Sequence, residues 1–211
     1  MKRMTLLARK HGTSTSDFRG YWAGPHARLA LGMQGISRYV HNRVDKILWS
    51  AGAAPAFDID GIVELSFLDA AAMQAAQASA VGRSYIPADE PNFLRGWTLC
   101  LVDSEGEEPA GGATKVLIPF HAAQEARAGL WSALRGAGGP AVALGLNWTA
   151  STARRERLWS EPSPPTGIVA AWFPGVVEAH DAFEPSSPLR QALAARTEDA
   201  SAYLIDELRI R

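Results

Sequence analysis

The feature that most constrains the fold is a repeated order of predicted elements. The segment GIVELSF at Gly61–Phe67 has a counterpart, GIVAAWF, at Gly167–Phe173, and TLLARKH at Thr5–His11 matches KVLIPFH at Lys115–His121 more loosely. Hydrophobic periodicity and turn residues predict the order strand, helix, strand, strand, helix, strand in each half. The predicted strands lie at 4–8, 36–44, 61–68, 97–102, 115–120, 141–148, 167–173 and 203–210. Pro119 predicts that its strand is an edge strand or ends there.

A βαββαβ order written twice predicts an α+β protein made of two tandem ferredoxin-like modules. The acidic, Gly-rich stretch DSEGEEPAGGA predicts a linker at 103–113, which leaves modules at 1–102 and 114–211. Each antiparallel sheet would carry helices on one face and leave an apolar face bare. We therefore expect the two sheets to face each other and to form an intramolecular, pseudo-dimeric α+β barrel.

Composition excludes several classes of partner. The net charge is −1, from 21 Lys and Arg against 22 Asp and Glu, and no basic stripe indicates nucleic acid. No apolar run approaches the ~20 residues of a membrane span, and the N-terminal segment is too polar for a secretory signal. The single cysteine, Cys100, cannot form an internal disulfide. The sequence therefore predicts a cytoplasmic protein that binds neither membranes nor nucleic acid.

The first helix contains an unusual Gly24-Pro25 step directly before His26. Proline inside a helix removes a hydrogen bond and costs about 3 kcal/mol. Phe18 and Trp22 precede it at helical spacing, so His26 borders the buried stripe. One interpretation is a half-buried histidine bonded to a backbone carbonyl, and the other is an acid–base group aimed by the kink.

Glu64 interrupts the otherwise apolar strand GIVELSF. Alternation places Val63, Leu65 and Phe67 on one face and Glu64 on the other. If the first three face the helices, Glu64 points into the barrel. A buried carboxylate needs a partner, so Glu64 is either half of a salt bridge to Arg38 or Arg43 or a functional group.

Two further positions are candidates. His41 shares a strand face with Tyr39, and the two could line the same cavity as Glu64 or lie at a solvated strand end. Asp89 and its neighbours suit a helix N-terminus, yet a carboxylate there could also reach a histidine. No HxxxH motif, cysteine cluster or Gly-rich phosphate loop is present, so we predict neither a metal nor a cofactor.

The segments SDFRGYWAGPHARLA, GISRYVHNRV, DGIVELSF and DEPNFL together resemble the EthD-like family of dimeric α+β barrel proteins. The ordered matches span most of residues 4–102, whereas the second half lacks the motifs. The matching positions are Phe18, Tyr21, Trp22, His26, Ala27, Arg38, Tyr39, Val40, Asn42, Asp60, Gly61, Glu64, Phe67, Asp89, Glu90, Asn92 and Phe93.

The resemblance implies a ferredoxin-like barrel that two chains normally build. It also implies small-molecule chemistry, because related members act without cofactors as cyclases, dehydratases or decarboxylases on polyketide-like aromatic compounds. Here the chain carries its own second half, in which Ala170 stands at the position of Glu64. We therefore expect one site per chain in residues 1–102, with the second half as lid and barrel wall, and a possible homodimer of such pseudo-dimers.

Three hypotheses follow. The first is a lyase, cyclase or isomerase in which His26 moves a proton beside a carbonyl and Glu64 or Asp89 orients its ring. Aromatic side chains would bind a small hydrophobic or aromatic molecule; they are Tyr21, Trp22, Tyr39 and His41. The second hypothesis is a non-catalytic binding protein of the same fold. The third is a monooxygenase of the barrel superfamily, with or without haem.

Overall fold

The computed structural model describes all 211 residues. Eight antiparallel strands form a closed barrel, and the helices pack on its outside. The strands are β1 (Lys2–Arg9), β2 (Ile36–Ser50), β3 (Gly61–Phe67), β4 (Leu94–Gly106), β5 (Thr114–His121), β6 (Ala143–Arg154), β7 (Gly167–Phe173) and β8 (Asp199–Arg209). Their order around the barrel is β1-β3-β2-β8-β5-β7-β6-β4, which confirms the α+β class and the barrel.

Short helical segments connect these strands. The α-helices are α1 (Thr15–Tyr21), α2 (Ala27–Ala30), α3 (Ala70–Ala78), α4 (Ile86–Asp89), α5 (Arg127–Ala137), α6 (Val176–Asp181) and α7 (Pro188–Arg196). Two π-turns lie at Trp22–His26 and Val81–Tyr85, and two 3₁₀ turns at Glu90–Asn92 and Gln124–Ala126. None of the helices combines the length and the apolar character that crossing a lipid bilayer requires.

The barrel closes through strand edges rather than through two stacked faces. β2 pairs with β8, and β4 pairs with β6. These pairings draw out both strands, so β2 runs to Ser50 and β4 to Gly106. Residues 103–106, which the sequence assigns to a linker, therefore belong to a paired strand, and the connection to β5 is shorter than predicted.

Pro119 lies inside the barrel wall and not at an edge, since β5 pairs with both β7 and β8. It sits opposite Ile168 of β7, whereas Ile118 and Pro119 have no registered partner in β8. A proline lacks the N–H that a ladder needs. The β5–β8 ladder is interrupted at this point, and the interruption accommodates Pro119 within a central strand.

The barrel interior is apolar except for one charged cluster. Ile62, Met4 and Leu117 pack inside with other apolar side chains, and Glu64, two residues along the same face, is also buried. Its carboxylate oxygens lie 2.8 Å from Lys2 Nζ and 2.6 Å from Lys115 Nζ. The predicted inward direction of Glu64 is therefore confirmed.

The partners of Glu64 differ from those considered in the sequence. Arg38 pairs with Glu108 and Arg43 pairs with Asp206, and neither arginine forms an ion pair with Glu64. Lys2 lies opposite Ser66 of β3, and Lys115 opposite Trp172 of β7. The two lysines thus occupy equivalent places in the two halves. The structural equivalent of Lys115 is therefore Lys2 and not Thr5, so the alignment of TLLARKH with KVLIPFH was wrong by three residues.

A segment after β6 crosses over to the first half of the chain. Trp159 N–H donates to the Arg95 carbonyl at 2.9 Å, and Trp97 N–H donates to the Trp159 carbonyl at 2.9 Å. Glu161 N–H donates to Thr98 Oγ1 at 2.8 Å. The segment at 155–161 therefore lies along the beginning of β4, on the edge that β1 does not occupy.

Candidate active site

The chain at 15–30 is helical throughout and contains the Gly-Pro step in its centre. Ser14 caps its start by accepting a hydrogen bond from Asp17 N–H. At Trp22–His26 the helix widens into a π-turn, in which Ala27 N–H points to the Trp22 carbonyl five residues back. A π-turn inside a helix is frequently found at functional sites. Here it accommodates Pro25, which has no N–H, and sets the direction of His26.

The His26 ring forms a dyad with Asp89. His26 Nδ1 lies 2.8 Å from Asp89 Oδ2. The other carboxylate oxygen accepts from Tyr21 Oη at 2.6 Å and from Asn92 Nδ2 at 3.2 Å. Asp89 ends α4, directly before the 3₁₀ turn at Glu90–Asn92. The carboxylate is therefore held by three donors and cannot rotate freely.

The pKa shifts indicate the protonation state of the dyad. Burial raises the pKa of Asp89, but hydrogen bonds from Tyr21, His26 and Asn92 outweigh it and leave that pKa below its usual value. Burial also lowers the pKa of His26, although Asp89 opposes this shift. At neutral pH we therefore infer an ionised Asp89 and a neutral His26. Because Nδ1 faces a carboxylate, Nδ1 carries the proton and Nε2 keeps its lone pair.

The His26 side chain lines a small cavity between the helices and the outer face of the sheet. The cavity has a volume of about 30 Å³, which is room for a water or a small chemical group. Trp22, Tyr39, Leu65 and Trp97 contribute to its mostly apolar wall. His26 Nε2 makes no hydrogen bond to the protein, so the basic nitrogen is free within this environment.

A charged group stands at one end of the cavity. Arg3 and Glu90 both line it, and Arg155 Nε lies 2.8 Å from Glu90 Oε2. The Arg155 guanidinium also packs over Trp97, 4.5 Å from the ring centre. Burial raises the pKa of Glu90, while Arg155 and Arg3 lower it in part. Arg155 follows β6, so the second half of the chain contributes directly to this site.

The structure brings together only some of the predicted site residues. Trp22 and Tyr39 line the cavity beside His26. Tyr21 holds Asp89 instead of lining the cavity. Gly61 is required beneath Trp22, because a Cβ at that position would lie 2.6 Å from the indole.

Glu64 does not share the cavity of His26. It faces the barrel interior with Lys2 and Lys115, whereas the cavity lies on the opposite face of β3, beside Val63 and Leu65. The predicted common cavity is therefore wrong for Glu64. Asp89 is the carboxylate that accompanies His26.

His41 is enclosed and does not line the cavity. Its ring stacks on Trp22 with centroids 4.0 Å apart and meets Tyr39 edge-on at 4.7 Å. The side chain is fully buried, and neither ring nitrogen has a hydrogen-bond partner. It supports Trp22 from behind and cannot touch a ligand in this arrangement.

Sequence reasoning missed the charged end of the cavity. Arg3 precedes the predicted start of β1, and only the alternation of the longer observed strand shows that it shares a face with Thr5 and Leu7. Arg155 lies in the second half, so no local pattern connects it to His26. Asn92 matches the family motif, and that match could have identified it as a hydrogen-bond partner of Asp89.

A second histidine–carboxylate pair occurs in the other half. His121 Nδ1 lies 2.7 Å from Asp199 Oδ1, and Nε2 lies 3.2 Å from Ser163 Oγ. The spacing resembles a nucleophilic triad. However, Nε2 is closer to the Ser163 carbonyl, at 2.9 Å, and a carbonyl only accepts. Nε2 is therefore placed to donate to this backbone carbonyl and not to take the proton of the serine hydroxyl.

The structure assembles no group of three or more His, Cys, Asp or Glu side chains that could hold a metal ion. The sequence of residues 10–96 matches the EthD domain family. This range includes His26, Asp89 and most of the cavity wall. Residues 10–96 form an EthD domain. The resemblance seen in the motifs is thereby confirmed, and the two arginines at the charged end of the cavity, Arg3 and Arg155, lie outside the matched range.

Solved structures similar to this chain share its fold over nearly the whole length. A proposed monooxygenase from Lactobacillus acidophilus NCFM aligns over 100% of this chain and 93% of its own, with a TM-score of 0.54 and 8% identity. An anthrone oxidase-like protein aligns over 99% and 92%, with a TM-score of 0.62 and 11% identity. A proposed chlorite dismutase aligns over 97% and 93%, with a TM-score of 0.54 and 10% identity.

The structural similarity establishes the fold and not the activity, because one fold hosts many chemistries. No curated protein matches the sequence significantly. The chemistry of the EthD domain must therefore be argued from its own side chains.

Proposed function

We propose that the EthD domain is the site of a cofactor-independent acid–base enzyme of the lyase, cyclase or isomerase type. Its substrate would be a small hydrophobic or aromatic molecule that carries a carbonyl group. One observation carries the proposal: His26 Nδ1 lies 2.8 Å from a fixed Asp89 carboxylate, and the opposite ring nitrogen is unpartnered in an apolar cavity.

In the proposed reaction His26 Nε2 removes a proton from a carbon next to the carbonyl, and the C–H electron pair moves into an enolate. Asp89 stabilises the imidazolium that forms and keeps its orientation. Return of the proton to another carbon completes an isomerisation. Loss of a leaving group from the enolate gives elimination, and attack on a second carbonyl closes a ring.

The environment of His26 supports this role. A base that is already neutral at working pH accepts a proton without first losing one. Trp22, Tyr39 and Trp97 give the reacting group an apolar environment. A volume of about 30 Å³ admits only the reacting group. The proposal therefore requires that the rest of the substrate extend past Glu90 into a cleft on its other side, which Arg83 and Arg154 help to line.

We also infer that the two halves are tandem ferredoxin-like modules of which only the first is active. Strand order supports this, because β4-β1-β3-β2 in the first half corresponds to β8-β5-β7-β6 in the second. In this interpretation the second half completes the barrel and covers the first-half cavity through residues 155–161.

The test is proton exchange on carbon acids. Aromatic ketones and 1,3-diketones incubated with the protein in D₂O should lose the α-proton signal in NMR spectra. Changing His26→Gln should reduce the exchange rate by about 10²-fold or more. Asp89→Asn should reduce it less, because the base remains but its imidazolium loses a counter-charge.

His180→Gln is the matched control, since His180 lies on α6 in the other half. Equal exchange in wild type and His26→Gln would contradict the proposal. Tight binding of a ketone without exchange would instead support a binding protein. Consumption of dissolved O₂ with these substrates would favour the monooxygenase hypothesis.

A further inference from the structure

Arg3 is a buried cation without a partner. Only 8% of the residue is exposed, and its Nε is buried without a hydrogen-bond partner. The guanidinium makes no ion pair and no side-chain hydrogen bond. The guanidinium carbon lies over the Phe67 ring, 5.6 Å from the ring centre. Because a buried charge is costly unless it is paired, this arrangement points to an absent anion.

The surrounding charges do not balance Arg3. Burial lowers its pKa to about 10, with a further lowering by Arg155 and an opposing effect of Glu90. Arg3 is therefore still charged at neutral pH. Two guanidinium groups face one carboxylate, which Arg155 already holds at 2.8 Å. One additional negative charge would neutralise the cluster.

The position of this missing charge coincides with the proposed reaction site. Arg3 and His26 line the same cavity. Glu90 lines that cavity and also a cleft of about 420 Å³ on its other side. The cleft is basic, because its wall holds four arginines and two glutamates; they are Arg83, Arg154, Arg155, Arg157, Glu90 and Glu156. An anionic ligand approaching through it is attracted toward Arg3.

We propose that Arg3, together with Arg155, binds a carboxylate group of the small molecule that reacts at His26. This inference rests on the proposed function in taking the two ligand groups to belong to one substrate. A planar carboxylate matches the two parallel N–H groups of a guanidinium.

The experiment compares benzoate with its neutral isostere benzamide in calorimetric titrations of the full chain. Benzoate should bind to the wild type more tightly than benzamide does. Arg3→Met should weaken benzoate binding by about tenfold or more and leave benzamide unchanged. Arg3→Lys keeps the charge but loses the planar fork, so its affinity should be intermediate. Arg28→Met, an exposed arginine on α2, is the control and should bind benzoate as the wild type does.

Stability provides a second measurement. If Arg3 is present for a ligand, removing an unpaired buried charge should raise the melting temperature of Arg3→Met, although binding is lost. Unchanged benzoate affinity in Arg3→Met would overturn the inference, as would Arg3-dependent binding of inorganic phosphate without binding of benzoate. Benzoate binding that depends on Arg3 without proton exchange at His26 would sustain the anion site while contradicting the proposed reaction.

Discussion

At the scale of single residues, His41 shows how a histidine can serve packing alone. Its ring lies between Trp22 and Tyr39, and neither nitrogen has a partner. Burial lowers its pKa to about 3, with smaller contributions from His26 and Arg43. The folded protein therefore holds His41 in the neutral form throughout the physiological range.

This predicts an acid sensitivity with a definite sign. Between pH 6.5 and 3 an unfolded His41 takes up a proton that the folded form rejects, so the free energy of unfolding falls as the pH falls. The slope from one such group is about 1.4 kcal/mol per pH unit. His41→Phe should remove most of this slope between pH 6 and 4, as measured by urea unfolding. Exposed His11→Gln should keep the wild-type slope, and an unchanged slope in His41→Phe would contradict the assignment.

At the scale of elements, the π-turn at Trp22–His26 lowers the stability of the helix and at the same time positions His26. A proline in a helix interior costs about 3 kcal/mol, and the wider turn absorbs the missing N–H of Pro25. The same turn places His26 against Asp89, the last residue of α4. Helix stability is therefore lower than a regular helix would provide, and the dyad depends on that distortion.

Replacing Pro25→Ala should separate these effects. The restored N–H allows a regular helix, so the variant should be more stable by about 1–3 kcal/mol. The altered turn should move His26 away from Asp89 and reduce proton exchange, and NMR titration should show a changed His26 pKa. Gly20→Ala on α1 is the control, since a Cβ there meets nothing within 4 Å; it should add about 0.5–1 kcal/mol and keep exchange.

The elements themselves were largely predictable because their signals are local. Ser14 and Asp69, residue types that favour helix N-termini, cap helices, and β7 has the predicted bounds. The missed parts depend on distant partners. The extension of β2 to Ser50 follows from pairing with β8, and the local sequence at 45–50 carries no sign of a partner strand located more than a hundred residues away.

At the scale of the whole molecule, the charged cluster inside the barrel joins the two halves. Lys115 Nζ contacts Glu64 Oε1 at 2.6 Å and Glu207 Oε2 at 3.0 Å. Lys115 and neighbouring Lys2 hold the pKa of the Glu64 carboxyl well below its usual value, although burial opposes them. Breaking one member of such a buried set leaves uncompensated charge.

Glu64→Gln should therefore lower the free energy of unfolding by about 3–5 kcal/mol, as measured in urea. The double variant Glu64→Gln with Lys115→Gln should recover part of the loss, because fewer buried charges remain unpaired. The His26 pKa followed by NMR should not change, since the cavity lies on the other face of β3. A shifted His26 pKa with unchanged stability would contradict this division of roles.

The site was less predictable than the fold for a geometric reason. Alternation in GIVELSF correctly separates Glu64 from Val63 and Leu65, but it does not tell which face of the sheet carries the cavity. Arg155 reaches Glu90 only because the chain folds back after β6. His26 and Asp89 were both predicted, yet their pairing required the three-dimensional structure.

The closed sheet also limits how this protein can associate with others. Every strand is paired on both sides, so no row of free N–H and C=O groups can template a strand from another chain. Peptides that extend a sheet edge, and fibrils that grow by adding strands, find nothing on the native fold to extend. A second copy of this chain must therefore dock through helices and loops.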